Sequence, residues 1–443
     1  RIFEFQAFVV PATAKAALFP VCLAALHHED WAQDFGYLLE GIVVSSSPSV
    51  QEFRGVALQL LDGANRVHGL GRTAFLTGLQ ALFMVAGEEC RPQMAELLVT
   101  LLRFAESSQG RQVDGVGSCL RVLTERLGDE VVKLAEPMMH MYLAVLQAGA
   151  TSGAGVHEET LRAVGALVVL MGTRFSGFMA AFWPVLATTM GMSHSPETCA
   201  VGFLIFRDLS RALERGILPY SAQAQGIALQ LLRNPDAPAS LRPHTIRCFG
   251  HLAHAVGGEV PHVPDMLTLL EVLAASGMDS TGGPRETCGI VKGKGKGSKD
   301  GRGGKPWRCV QRAPDEWFYR RQLLGALTEA YEGVVVGFAR TASLPVIGER
   351  LRGIVVFALW RAAPLAATAP PFLLCLRILS GLAAALPDEV EGCFLGSCQR
   401  RAARIADVVQ EQPPISEVHA VARPFMELLQ RSRPQDDAED SVT

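Results

Sequence analysis

The sequence predicts an all-α fold in which helix pairs stack on one another as a solenoid, and three observations carry the prediction. Apolar residues recur at helical spacing in segment after segment, and no stretch alternates apolar and polar as a half-buried strand does. The segments end at Gly, Pro or Asn, the residues that stop helices. Finally, a helix ending in Gly and followed by a new amphipathic helix recurs at Gly87, Gly128, Gly172, Gly216 and Gly258, with spacings of 41, 44, 44 and 42 residues. A single amphipathic helix or pair leaves an apolar stripe in water, so such units are stable only against copies of themselves.

The stretch Glu197–Val260 shows this grammar most plainly. Helical patterns run from about Thr198 to Leu213, from Pro219 to Leu232 and from Pro243 to Val256, broken at Gly216, at Asn234-Pro235-Asp236 and at Gly257-Gly258. A period of ~40–47 residues with two helices per unit is that of HEAT and armadillo repeats. The expected fold is therefore a HEAT/armadillo-type α-α superhelical solenoid of about nine helix pairs.

Bulk properties agree. Of the 443 residues, 49% are hydrophobic and 19% charged, which excludes a disordered chain. The net charge of −3 neither demands nor forbids a charged partner. Ten cysteines are scattered singly with no CxxC, as in reduced, packed thiols of a cytosolic or nuclear protein. The most apolar region, Gly353–Leu386, is broken by Arg361, Pro364, Pro370, Pro371 and Arg377, so two packed helices are expected there rather than a membrane span. The chain opens at Arg1 with no signal peptide, as a fragment or incomplete reading frame would.

In order, residues 1–70 read as divergent or degenerate helical repeats, and 71–275 as clear repeats. Within the latter, Met138, Met139 and Met141 form a stripe expected in the core. Residues 276–314 are a basic Gly/Lys-rich insert expected to stay disordered. From Arg285 to Arg312 nine Lys or Arg face only Glu286 and Asp300. Helices resume over 315–432, starting with Asp315–Tyr331, and Gly337 is the next repeat marker. Residues 433–443 are an acidic tail.

No catalytic pattern emerges. In the insert no Gly is followed at the Walker spacing by Gly-Lys-Ser/Thr, and no strand precedes it. His251 and His254 lie three apart on one helix without a third ligand, and His27-His28-Glu29-Asp30 point in different directions. GxSxG and HExxH are absent. No enzyme, metal or cofactor is expected.

Several segments resemble the C-terminal half of importin-β, the nuclear transport receptor. They are LRAVGALVVLMGTRFSGFMAAFWPVLATTM from Leu161, RDLSRALERGILPY, SLRPHTIRCFGHLAHAVGGEV, and LGALTEAYEGVVVGF from Leu324. The likeness runs roughly from Gly71 to Leu429. It implies a receptor of the cytoplasm, nucleus and nuclear pore that carries basic cargo or the adaptor importin-α on its concave face, where the second helix of each pair presents its polar residues. It assigns Asp208, Glu214 and Glu329 to that face. Aromatics between repeats, Phe178 and Trp183 with Phe182 beside them, would take Phe-Gly motifs of nucleoporins, although core packing is favoured. The small GTPase Ran is an implied partner, mainly through an N-terminal arch not found here. The acidic loop of the family is not found either, and the chain is less acidic than such a receptor. Asp208, Arg211 and Arg215 at i, i+3 and i+7 are expected to form an intrahelical ion-pair row. Two alternatives remain, a HEAT scaffold of a multiprotein complex and a nucleic-acid-binding solenoid acting through the insert. Membrane association is not expected, and nucleic-acid binding is disfavoured.

Overall fold

A computed structural model describes residues 12–46, 48–107, 115–152, 158–192, 195–234, 236–279, 314–394 and 396–432. Among them are nineteen α-helices and no strand. In order they are α1 Ala12–Ala25, α2 Glu29–Val44, α3 Val50–Arg66, α4 Gly69–Val85, α5 Arg91–Ser107, α6 Val116–Leu127, α7 Ala135–Ser152, α8 Glu158–Met171, α9 Met179–Met190 and α10 Pro196–Leu213. Next come α11 Leu218–Arg233, α12 Arg242–Val256, α13 Val263–Asp279, α14 Pro314–Arg340, α15 Leu351–Ala362, α16 Pro370–Ala385, α17 Pro387–Glu391, α18 Ser397–Gln410 and α19 Glu417–Arg431. The predicted HEAT-type helical solenoid is the observed fold class. The core of the basic insert, from 280 to 313, and the acidic end from 433 lie outside the described residues.

The chain divides into two compact units, Arg1–Ile227 and Ala228–Thr443. In the first, α2, α4, α6, α8 and α10 stack directly in one row, and α1, α3, α5, α7 and α9 each pack on the helix that follows. In the second, the row is α12, α14, α16 and α19, with α13, α15 and α18 as the first helices of their pairs. Each second helix is thus covered on two sides. This is why the apolar stripes are broad and why buried side chains such as Phe75, Phe203, Phe249 and Phe338 are large and fully enclosed. Of the expected core stripe, Met138 and Met139 are fully buried and Met141 is only half-buried.

The second helices end by a shared device, but not at all the expected residues. Backbone reversal to positive φ falls at Gly128 (55°), Gly172 (55°), Glu214 (48°) and Gly257 (62°), and a 3-10 turn follows each. Gly216 and Gly258, the predicted stops, sit inside those turns, and Gly87 has an ordinary φ of −71°. The reversing position at α10 is held by Glu214, a residue that pattern reading passes over because it is not Gly.

A second correction concerns α14. The sequence suggests a helix ending near Tyr331 and a repeat marker at Gly337, but one helix of 27 residues runs through both Gly333 and Gly337. These glycines do not break the helix. A Cβ at Gly333 would stand 2.2 Å from the Gly250 carbonyl oxygen, and one at Gly337 would stand 2.0 Å from that of Ala253. They let the α12 and α14 backbones touch.

Arginines tie successive repeats at the helix ends. Arg126 at the end of α6 donates to the Ala86 carbonyl at the end of α4. Arg340 at the end of α14 donates to the carbonyls of His254 and Ala255 at the end of α12. Arg91 donates to the Leu127 carbonyl at 2.8 Å. The last carbonyls of a helix have no partner within it and carry its negative end, so a cation there satisfies both needs.

Glu158–Met190 is long and apolar enough to cross a membrane by length and composition, a run that the sequence pattern alone did not single out. It is two helices, α8 and α9, parted by the reversal at Gly172. The first packs between α6 and α10.

Candidate interaction surface

The second helices were the predicted binding face, and two of the three predicted acids are already engaged. The Asp208 carboxylate accepts from Arg207 at 2.9 Å and keeps only 18% of its side chain exposed. Its partner is not the expected Arg211. Arg211 is exposed, whereas Asp208 turns toward α8, where a Cβ on Gly165 would lie 4.0 Å from its Oδ2. Glu329 on α14 accepts from Arg247 Nε on α12 at 2.8 Å. Glu214 is exposed, but it sits on the reversing residue beyond α10 rather than on the helix face.

Further pairs that the sequence did not reveal continue the pattern. Arg377 on α16 lies between Glu332 on α14, at 3.7 Å, and Glu417 on α19, at 3.0 Å. Glu159 on α8 accepts from the Gly115 amide at 2.8 Å, just ahead of α6. Glu158 accepts from Thr198 Oγ1 on α10 at 3.0 Å. Each bridges neighbouring repeats, and as partly exposed contacts each is worth little singly. For the charged pairs the sequence signal is opposite charge on successive second helices. The residues between Arg247 and Glu329 span a whole repeat plus the insert, which hides that pairing.

The aromatic site lies among first helices. Trp183 on α9 is 8% exposed, its ring 5.1 Å from Tyr220 on α11 and 6.0 Å from Phe206 on α10. Its Nε1 donates to Gln223 Oε1 at 2.7 Å, which satisfies the one polar atom that burial would otherwise strand. Phe182 is fully buried against Phe175, and Phe178 is half-buried at 5.6 Å from Phe175. Phe178 and Phe182 thus pack with Phe175, while Trp183 packs with Phe206 and Tyr220.

Thiol chemistry is suppressed where the cysteines are buried. Burial pushes the Cys22 and Cys199 thiols up to about 11 and Cys375 up to about 12, so they carry almost no thiolate at neutral pH. Among the described residues no three His, Cys, Asp or Glu side chains converge as a metal site would need.

In each unit stacked helix pairs, with polar contacts bridging the repeats, define a helical-repeat solenoid. Comparison with known proteins narrows this. The family described as importin subunit beta-1-like, TPR repeats, matches residues 71–282. Importin subunit beta-1 of Arabidopsis thaliana is 29% identical over 236 residues, covering 48% of this chain and 26% of the relative. The backbone superposes on a crystal structure of importin beta with a TM-score of 0.68 at 19% identity, over 94% of this chain and 49% of that one. For a complex of Kap95 with Nup1 the values are 0.61 and 18%, over 94% and 47%. The chain is thus similar to importin-β over these residues, and it spans about half the length of these solved structures.

Proposed function

We propose that this chain is part of a nuclear import receptor. It holds basic cargo or importin-α on the second-helix row and Phe-Gly segments of nucleoporins at the aromatic side chains among the first helices, and it moves between cytoplasm and nucleus without catalysis or cofactor. The observation that carries the reading is the importin-β-like match over 71–282, which takes in α5 to α13 and α4 from Gly71 on, and with them Phe178, Trp183 and Tyr220. The Nup1 complex of the Kap95 relative favours a nucleoporin site in this fold.

The charged row suits a partner that trades ion pairs. A basic segment meeting Asp208 in the first unit replaces Arg207, and one meeting Glu329 in the second replaces Arg247, whereas Glu214 is reached directly. Such an exchange gains little net Coulomb energy, so binding to this chain is weak and falls with salt. Ran is a partner of the same receptor class and contacts this part little.

A pull-down of the full chain with a basic importin-α segment at low and high salt, and with a Phe-Gly peptide, tests the reading. Capture of the basic segment is expected at low salt only. Trp183→Ala with Tyr220→Ala is expected to reduce Phe-Gly capture and leave the basic segment bound. Failure to retain either ligand at low salt overturns it.

A further inference from the structure

Among the described residues the cysteines fall into two groups. Cys22, Cys90, Cys119, Cys199, Cys248 and Cys375 are buried, whereas Cys393 and Cys398 are half-buried and within reach of solvent. These two are also the closest pair in the sequence, five residues apart. Cys393 sits in the turn that leaves α17, where its Sγ donates to the Glu389 carbonyl at 3.3 Å. Cys398 lies in the first turn of α18. Extended, that stretch of chain would part them by about 17 Å. It is bent instead. The Cys393 and Phe394 amides donate back to the Val390 and Glu391 carbonyls at 3.0 and 2.9 Å, and Gly396 reverses the backbone at a φ of 55°. Burial pushes the Cys393 thiol up, Arg352 of α15 draws it back, and Cys398 adds to the upward push, so each sulfur stands within electrostatic reach of the other.

We propose that Cys393 and Cys398 form a reversible disulfide when the protein meets a peroxide. With hydrogen peroxide, one sulfur attacks as thiolate. The O–O bond breaks, a sulfenic acid forms and the distal oxygen leaves as water. The second sulfur attacks the sulfenic sulfur, the S–O bond breaks and a second water leaves. The thiols give two electrons to the peroxide, and their two protons end in the waters. A low-molecular-weight thiol reverses the bond by exchange and is itself oxidised to its disulfide. The buried cysteines do not compete, because they are shielded and carry almost no thiolate. The bond spans the segment that seats the last helix. Both α17 and α18 pack on α15 and α19, and Phe394, between the two sulfurs, is buried 6.0 Å from Phe425 of α19. Closing this loop covalently restrains the local opening of the last helix pair. The inference is independent of the transport reading, because no residue used there takes part.

Arg377 and Arg400 bound one tryptic peptide, 378–400, that holds both cysteines and no other. The full chain is treated with hydrogen peroxide until exposed Met84 is oxidised, unfolded in iodoacetamide and digested without reductant. Peptide 378–400 is expected to lose both alkyl labels and two hydrogens, and to regain the labels after a thiol reductant. The peptides carrying Cys22, Cys199 and Cys375 should keep their labels throughout. In Cys393→Ser and in Cys398→Ser the remaining thiol has no partner in the loop, so the loss of two hydrogens should disappear. Hydrogen exchange of the α17–α18 loop and of α19 is expected to slow in the oxidised chain and recover on reduction; unchanged exchange overturns the restraint. Both labels retained on 378–400 after Met84 has reacted overturn the disulfide. So does a cross-link from Cys393 or Cys398 to the peptides that carry Cys288 or Cys309, which would place the partner elsewhere in the chain.

Discussion

The α12/α14 joint and the α8/α10 joint stack second helices by the same grammar with different chemistry. At α8/α10 side chains meet side chains. A Cβ added at Gly165 would lie 3.4 Å from Ile205, ordinary contact. At α12/α14 backbone meets backbone. Gly250, Gly333 and Gly337 leave no room for a Cβ, and the joint is closed at its ends by Arg247–Glu329, by Arg340 on the last α12 carbonyls and by the Gly258 amide on Thr341 Oγ1 at 3.1 Å. The two helices of the closer joint are also the two separated in sequence by the basic insert. A long insertion between α13 and α14 costs modest loop entropy, and a joint made by direct backbone contact does not depend on how that loop closes. Side-chain packing can adjust by rotamer changes; backbone contact cannot.

Exchanging small residues should separate the joints most sharply. Gly337→Ala forces a methyl onto the Ala253 carbonyl and is expected to destabilise the 228–443 unit by about 3 kcal/mol or more. Gly165→Ala should be tolerated or stabilise by about 1 kcal/mol, because Ala is the better helix former and the space exists. Hydrogen exchange of α12 and α14 peptides, against α8 and α10 peptides, reads both outcomes. Equal, small effects at the two glycines would mean that the close approach at α12/α14 is not a constraint.

A smaller effect is expected from the arginine at the closer joint. Arg340→Ala strips the charged donor from the His254 and Ala255 carbonyls and should cost about 1.5–3 kcal/mol, with Arg340→Lys recovering part. The readout is faster exchange at the end of α12 with the rest of the unit unchanged. If α12 is unaffected, water satisfies those carbonyls and the arginine is incidental to the joint.

These contrasts show what was legible in the chain. Helix identity and period were, because a broad apolar stripe and a stop every forty-odd residues are local signals. The aromatic contacts were legible as residues and not as geometry: Trp183 stood out in sequence, while Tyr220 and Gln223, one repeat later, meet it only once first helices lie side by side. The charge partners were hidden, since Asp208 chooses its neighbour Arg207 and Glu329 a residue 82 positions away. Gly337 was misread because a glycine that ends a helix and one that admits a neighbouring backbone look alike until the neighbour is known. Glu214 was invisible as a helix stop for the opposite reason, as it does a glycine's work without being one.

Glu214 gives the finest test of the comparison. Its φ of 48° and ψ of −123° nearly match Gly257 at 62° and −139°, so α10 and α12 turn the chain identically with different residues. At Gly257 two constraints coincide, the positive φ and Thr341 at 2.3 Å from any added Cβ. At Glu214 only the first applies, which is why a side chain survives there. Glu214→Gly should therefore stabilise the 1–227 unit by about 1 kcal/mol, the relief of a non-glycine residue in this region less the added freedom of the unfolded chain. The reverse change, Gly257→Glu, should be strongly destabilising, since it meets Thr341 and the Gly337 carbonyl as well. Thermal unfolding of the two variants decides the matter. A destabilising Glu214→Gly would mean that the carboxylate, not the backbone, is what α10 needs at its end, and the equivalence of the two turns would fail.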